Sequence, residues 1–203
     1  MCERPNASGV PASYDAGSPG QGTAAEAGVL SDSRHAEDER FMRMALEEAR
    51  AAAAEGEVPI GSVVVLRGAV DFNPREPYAR EGFEPRVIAR GHNRRELDGD
   101  PSAHAEFLAM RRAAETLGRW RLVGCTVYVT VEPCLMCAGL MGNSRIDGCV
   151  FGGADPKGGA LGSLYDVSHD PRLHHEFGVT GGVLADECAQ AMRDFFRARR
   201  KRK

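Results

Sequence analysis

Apolar residues first fall into a helical rhythm at Phe41, Met44, Ala45, Leu46, Ala49 and Ala52, until Gly56 stops the run. A helix from about Asp38 is therefore expected. The β-branched stretch PIGSVVVL, residues 59–66, predicts a short strand, with RVIARGHN at 86–93 as its hairpin partner. Residues 67–86 between them are too long and proline-rich for a tight turn, and read as an inserted loop. Helical spacing returns from about Ser102 to Leu117, and Gly118 ends it. CTVYVTVE, 125–132, alternates and is β-branched, the clearest strand pattern in the chain. Pro133 then opens a helix through about Ser144, since proline suits a first turn where its missing N–H is not needed. DGCVFGG is a further strand, ADPKGGALGS a glycine-rich loop, and FGVTGGVL the last strand, before a final helix from about Asp186. Strands alternating with helices predict an α/β domain whose helices cover a central sheet.

Composition limits this picture at the ends. Residues 1–36 are rich in Gly, Ala, Ser and Pro and show no periodicity, so they read as a disordered extension. That leaves 37–203 as one domain, closing on a basic helix and tail at 193–203. The chain is 42% hydrophobic and 27% charged, as expected of a soluble globular protein with a real core. No apolar run is long enough to span a membrane, and the N-terminus has no basic start followed by an apolar stretch. The expected compartment is the cytoplasm, where six cysteines argue against a disulfide scaffold. A net charge of -3 conceals an asymmetry: acidic residues dominate the first forty or so positions, while the chain ends RDFFRARRKRK.

The candidate chemistry lies in two helix starts. Cys134 and Cys137 are three apart, so both sulfurs share one side of a first turn, where free backbone N–H groups favour thiolates. His104 is the only histidine that also sits at a predicted helix start, with Glu106 two residues on. Residues at i and i+2 leave a helix about 200° apart. Because Cα–Cβ bonds tilt toward the N-terminus, however, first-turn side chains can still converge beyond the helix end. Two thiolates and one imidazole favour zinc. Three protein ligands leave a position open, the pattern of catalytic rather than structural sites, with Glu106 as a free carboxylate nearby. The competing reading completes a closed site with Cys125 or Cys149 and leaves Glu106 as a surface residue.

HAE followed by PCLMC is the pattern of zinc nucleobase deaminases. The segments EVPIGSVVV, GHNRRELDGDPSAHAE, WRLVGCTVYVTVEPCLMCAG, FGGADPKGGALGSL and GGVLADECAQAMRDFFRARR resemble those of the bacterial tRNA adenosine deaminases. The resemblance runs from about Asp38 to the C-terminus, the inserted loop excepted. It implies a three-layer α/β/α cytidine deaminase-like fold with a central mixed sheet of about five strands. It implies one zinc per subunit on His104, Cys134 and Cys137, and Glu106 as proton shuttle. The implied reaction is hydrolytic deamination of adenosine to inosine at the wobble position of a tRNA anticodon, by a homodimer. Asn93, Asp155 and Lys157 become candidate nucleotide contacts, while Pro59 and Ala105 are expected to line the pocket. Phe195 offers an aromatic face, and Arg199 and Arg200 of the tail are expected on phosphates. The long loop at 67–86, His174 where the family often has asparagine, and the N-terminal extension all depart from the family pattern. Two other readings use the same residues: a small-molecule deaminase acting on guanine, cytosine or a nucleoside, and a non-catalytic RNA-binding subunit stabilised by zinc. A purely structural site has no use for Glu106, which counts against the second.

Overall fold

The computed structural model describes residues 24–68 and 83–201. Most of the inserted loop and the first part of the N-terminal extension lie outside these. Helix α1 (Ala24–Ala54) leads into β1 (Gly61–Leu66) and β2 (Arg86–His92), then the short α2 (Arg95–Asp98) and α3 (Ala105–Leu117). β3 (Cys125–Val131), α4 (Leu135–Ser144), β4 (Gly148–Gly153), β5 (Gly178–Gly181) and α5 (Ala185–Arg200) complete the chain.

The five strands form one mixed sheet in the order β2-β1-β3-β4-β5. β1 runs antiparallel to β2 and β3, whereas β3, β4 and β5 are parallel. Side chains on a strand alternate between faces, and here they divide two cores. Val63, Val65, Tyr128 and Val150 pack with Phe41, Met42, Ala45 and Leu46 of α1 and Cys188 of α5. Val64, Leu66, Val127, Val129, Cys149 and Phe151 pack on the other face with Ala109, Met110 and Ala113 of α3 and Ala138 and Met141 of α4. The expected three-layer α/β/α architecture and the five-stranded mixed sheet are what is found.

Two glycines set how closely the layers approach. A Cβ on Gly61 would stand 2.1 Å from the carbonyl oxygen of Ala45, and one on Gly91 would stand 2.7 Å from that of Ala105. α1 therefore rests on β1, and the start of α3 rests on β2, backbone against backbone.

Three boundaries differ from expectation. α1 begins at Ala24 rather than near Asp38, so residues 24–36 of the supposed disordered extension are helical. Extending a nucleated helix is cheap, and Ala24, Ala25, Glu26 and Ala27 are strong helix formers. α3 begins at Ala105, not Ser102, and α4 at Leu135, so Pro133 precedes the helix cap instead of occupying the first turn. α2 was not foreseen, being four residues long and without an apolar face.

Because the approach at Gly91 is to backbone atoms that cannot swing away, Gly91→Ala is expected to lower stability by at least ~1–3 kcal/mol in urea denaturation. Gly139→Ala, inside α4 with open space around it, should be neutral or gain ~0.5–1 kcal/mol from helix propensity. Equal effects at the two sites would refute this account of layer spacing.

Candidate metal centre and active site

His104 is the N-cap of α3 and Cys134 the N-cap of α4, both in extended backbone (ψ 152° and 173°) and neither spending its side chain on a capping bond. Their side chains are thus free to face one another. The Nδ1 atom of His104 lies 3.6 Å from Sγ of Cys134 and 3.7 Å from Sγ of Cys137. Ligand atoms of all three residues lie within 4.8 Å of one another. Nitrogen at about 2.0 Å and sulfur at about 2.3 Å from a tetrahedral ion stand roughly 3.5–3.8 Å apart. The cluster therefore has the spacing and donor chemistry of a zinc site.

Protonation of the cluster also calls for a cation. The Cys134 thiol is lowered to about 3 by hydrogen bonding from Cys137 and then from His104. Cys137 is raised instead, by its hydrogen bond to Cys134, by burial and by the nearby charge of Glu106. His104 is raised, chiefly by its bond with Cys134. The protein alone thus stabilises one thiolate and suppresses the second, and a bound cation would permit both. Among the described residues this metal-capable group has three members. Cys125 and Cys149 are buried in the core formed by the sheet, α3 and α4, and burial pushes the Cys125 thiol up to about 12. They do not belong to the group, so it keeps the open, three-ligand form.

Glu106 is 4% exposed, and burial raises its carboxyl to about 7. Its charge acts on His104 and on the Cys134 and Cys137 sulfurs, so His104 and Glu106 face the same cluster. Their two-residue spacing works for a more specific reason than side-chain tilt. His104 stands outside the helix in extended backbone, so the helical angle between neighbours does not apply to the pair.

The remaining candidates fall into three places. Asn93 follows β2 and is buried, while Ala105 lies fully buried between His104 and Glu106. The amide of Arg94 donates to the carbonyl of Ala103 (3.0 Å), which ties the residue after Asn93 to the residue before His104. Asp155 and Lys157 lie in the loop after β4. Bridge pairing of Gly159 with Cys134, and a bond from the Ala160 amide to the Pro133 carbonyl (2.9 Å), press this loop against the start of α4. Oδ1 of Asp155 accepts the Lys157 amide (3.0 Å), closing a turn that leaves Lys157 exposed. Pro59 and Phe195 share a groove of about 670 Å³ between α1 and α5, which is not lined by His104, Glu106, Cys134 or Cys137. Arg199 and Arg200 are exposed in the last turn of α5, with the Arg199 guanidinium 5.7 Å from the Phe195 ring centre.

Two buried carboxylates escaped sequence reasoning. Glu132 (3% exposed) accepts the amides of Asp155, Leu161 and Ser163, each at 3.0 Å, and also the Ser163 hydroxyl. Burial opposes its ionisation, yet the Ser163 hydroxyl and these amides hold it below the usual carboxylate range. Glu57 (1% exposed) accepts Nδ2 of Asn93 at 2.8 Å and the Leu97 amide at 2.7 Å. The available signal was slight: an acidic residue beside a glycine-rich or turn-forming segment that has amides to satisfy.

Comparison with known proteins is consistent with this geometry. Residues 83–200 match the model of the MafB19-like deaminase family. The tRNA-specific adenosine deaminase of Bacillus subtilis is 43% identical over 167 residues, covering 82% of this chain and 93% of that protein. The chain belongs to the tRNA-specific adenosine deaminase family. Its similarity to the Haemophilus influenzae member is also 43%, over 82% of this chain and 87% of the relative. A solved structure from work on A-to-I editing by tRNA:A34 deaminases superposes with a TM-score of 0.63 at 40% identity, covering 75% of this chain and 98% of the other.

Glu132→Gln should release several loop amides and destabilise the protein by at least ~1–3 kcal/mol at neutral pH. The folded carboxyl titrates below the unfolded one, so its contribution is complete above the unfolded value of about 4.3 and fades as pH falls through the folded value. The stability gap between wild type and Glu132→Gln should therefore close in acid. A gap that widened below pH ~4 would contradict the assignment.

Proposed function

We propose that the chain converts adenosine to inosine at the wobble position of a tRNA anticodon, consuming one water and releasing one ammonia. The observation that carries this reading is the buried Glu106 carboxyl meeting an open His–Cys–Cys cluster, in a chain that shares about two-fifths of its sequence with tRNA-specific adenosine deaminases. His104, Cys134 and Cys137 would hold one zinc ion, which when bound lowers the pKa of a water toward neutrality. Glu106 takes the proton this water gives up and passes it to N1 of the adenine. The water oxygen bonds to C6, and Glu106 then takes the second proton from that new hydroxyl and delivers it to the amine, which leaves as ammonia while the C6 carbonyl forms. Burial raises this carboxyl, which favours its holding a proton between the two transfers.

An adenine stacked in a duplex cannot enter such a pocket, so an unpaired, splayed anticodon base is the natural substrate. Asn93 contacts the base and Ala105 forms a wall of its pocket. Asp155 and Lys157 reach the nucleotide from a loop fastened to Cys134. The groove shared by Pro59 and Phe195 is lined by neither the cluster nor Glu106 and so lends no support to a place for them beside the base, whereas the exposed Arg199 and Arg200 meet phosphates. We place the enzyme in the cytoplasm. Among the described residues, no helix is long and apolar enough to cross a membrane. Association as a homodimer is supported by exposed apolar side chains at Leu135, Met136, Leu164 and Tyr165, on α4 and the loop fastened to it.

Incubation with a tRNA bearing adenosine at the wobble position should yield inosine there, and free guanine, cytosine or adenosine should not compete as substrates. Glu106→Ala should keep its zinc and lose turnover by at least ~100-fold. Deamination of free bases with none in tRNA would overturn the reading. Neutralising Arg197, Arg199 and Arg200 should reduce the slope of log affinity for tRNA against log salt by up to about one per lost phosphate contact. An unchanged slope would remove the tail from the RNA interface.

A further inference from the structure

We infer that Glu57 is a positioning residue that fixes which end of the Asn93 amide meets the substrate base. This rests on the functional reading above, in which Asn93 touches the base.

Glu57 is almost wholly buried, close to the start of the first strand, and lies outside the metal-capable group. Its two oxygens are divided. Oε1 accepts the backbone amide of Leu97, a group that can only donate, and Oε2 accepts Nδ2 of Asn93. A side-chain amide has a donor end and an acceptor end of nearly the same shape. A carboxylate facing it admits only the nitrogen end. Among the described residues the oxygen of Asn93 has no hydrogen-bond partner. Glu57 therefore decides the amide's orientation, and with it the pattern of donor and acceptor that a base would meet.

The surrounding backbone carries that choice to the active site. The Asn93 amide donates to Ile60 (3.0 Å), and the Arg94 amide to Ala103, next to ligand His104. Gly91, two residues earlier, lies against Ala105, between His104 and Glu106. Asn93 thus stands on a segment held against the catalytic helix start on both sides. Glu57 also secures α2 through Leu97, so the turn after Asn93 depends on the same carboxylate.

Glu57→Gln separates orientation from packing. The glutamine keeps the shape, and its oxygen can still receive the Leu97 amide, but its NH2 group then faces Asn93. The Asn93 amide must turn over to accept, presenting its ends to the base in reverse.

The experiment has two parts on the zinc-loaded full chain. The first follows the side-chain 1H–15N signals of Asn93, identified by their loss in Asn93→Ala. In wild type they should show slowed exchange of a buried, hydrogen-bonded NH2, and in Glu57→Gln that protection should disappear. The second measures kcat/KM for wobble-adenosine tRNA in wild type, Glu57→Gln, Asn93→Ala and the double variant. Glu57→Gln is expected to lose ~10–100-fold, and to add nothing in the Asn93→Ala background, because it acts through Asn93. Losses that multiply, or unchanged Asn93 signals in Glu57→Gln, would overturn the inference. If Glu57→Gln is unstable, Glu57→Gln with Asn93→Asp restores a donor–acceptor pair of opposite polarity. That variant should regain wild-type melting without regaining activity, and full activity would overturn the inference. Protected Asn93 signals in a wild-type protein that makes no inosine would leave the positioning contact intact and remove the functional reading instead.

Discussion

The chemistry depends on two helix N-termini being held face to face. The parallel strands β3 and β4 carry α4 on the sheet face where α3 also packs, and the close approach at Gly91 brings the start of α3 down onto β2. Helix starts offer unpaired N–H groups and a positive end, which favour thiolate and carboxylate groups. Placing His104 and Cys134 at the caps rather than within the helices gives each side chain the freedom to turn toward the other. A cap residue that spent its side chain on its own helix would be lost to the cluster.

The buried carboxylates divide the remaining work. Glu106 lies beside the cluster, with its carboxyl raised by burial. Glu132 experiences similar burial, yet hydrogen bonds keep it on the acidic side, and it serves as an anchor for a loop. The same residue type acquires opposite properties because one has few compensating donors and the other four.

Much of this was legible in the sequence. The elements with strong periodicity, β1, β3, α3 and α5, stand close to where their patterns place them, and the HAE and PCLMC segments led to the cluster. What stayed hidden depends on contacts between distant parts of the chain. Glu132 meets Leu161 and Ser163 across 29 and 31 positions, and Glu57 meets Asn93 across 36. No local pattern records such pairings. The early start of α1 was missed for another reason: a helix can continue through alanine-rich sequence that has no apolar stripe to reveal it.

The fastening of the 154–163 loop bears on how this protein can change. Its amides close on a carboxylate two residues before Cys134, and a Cβ on Gly159 would stand 2.3 Å from the Glu132 carboxyl carbon. The loop is therefore not an exchangeable part. A replacement of different length or without that glycine would leave Glu132 searching for donors beside the metal-capable cluster. Under the proposed function, new substrate preferences would be more accessible through side chains projecting from this loop, such as the exposed Lys157, than through its backbone.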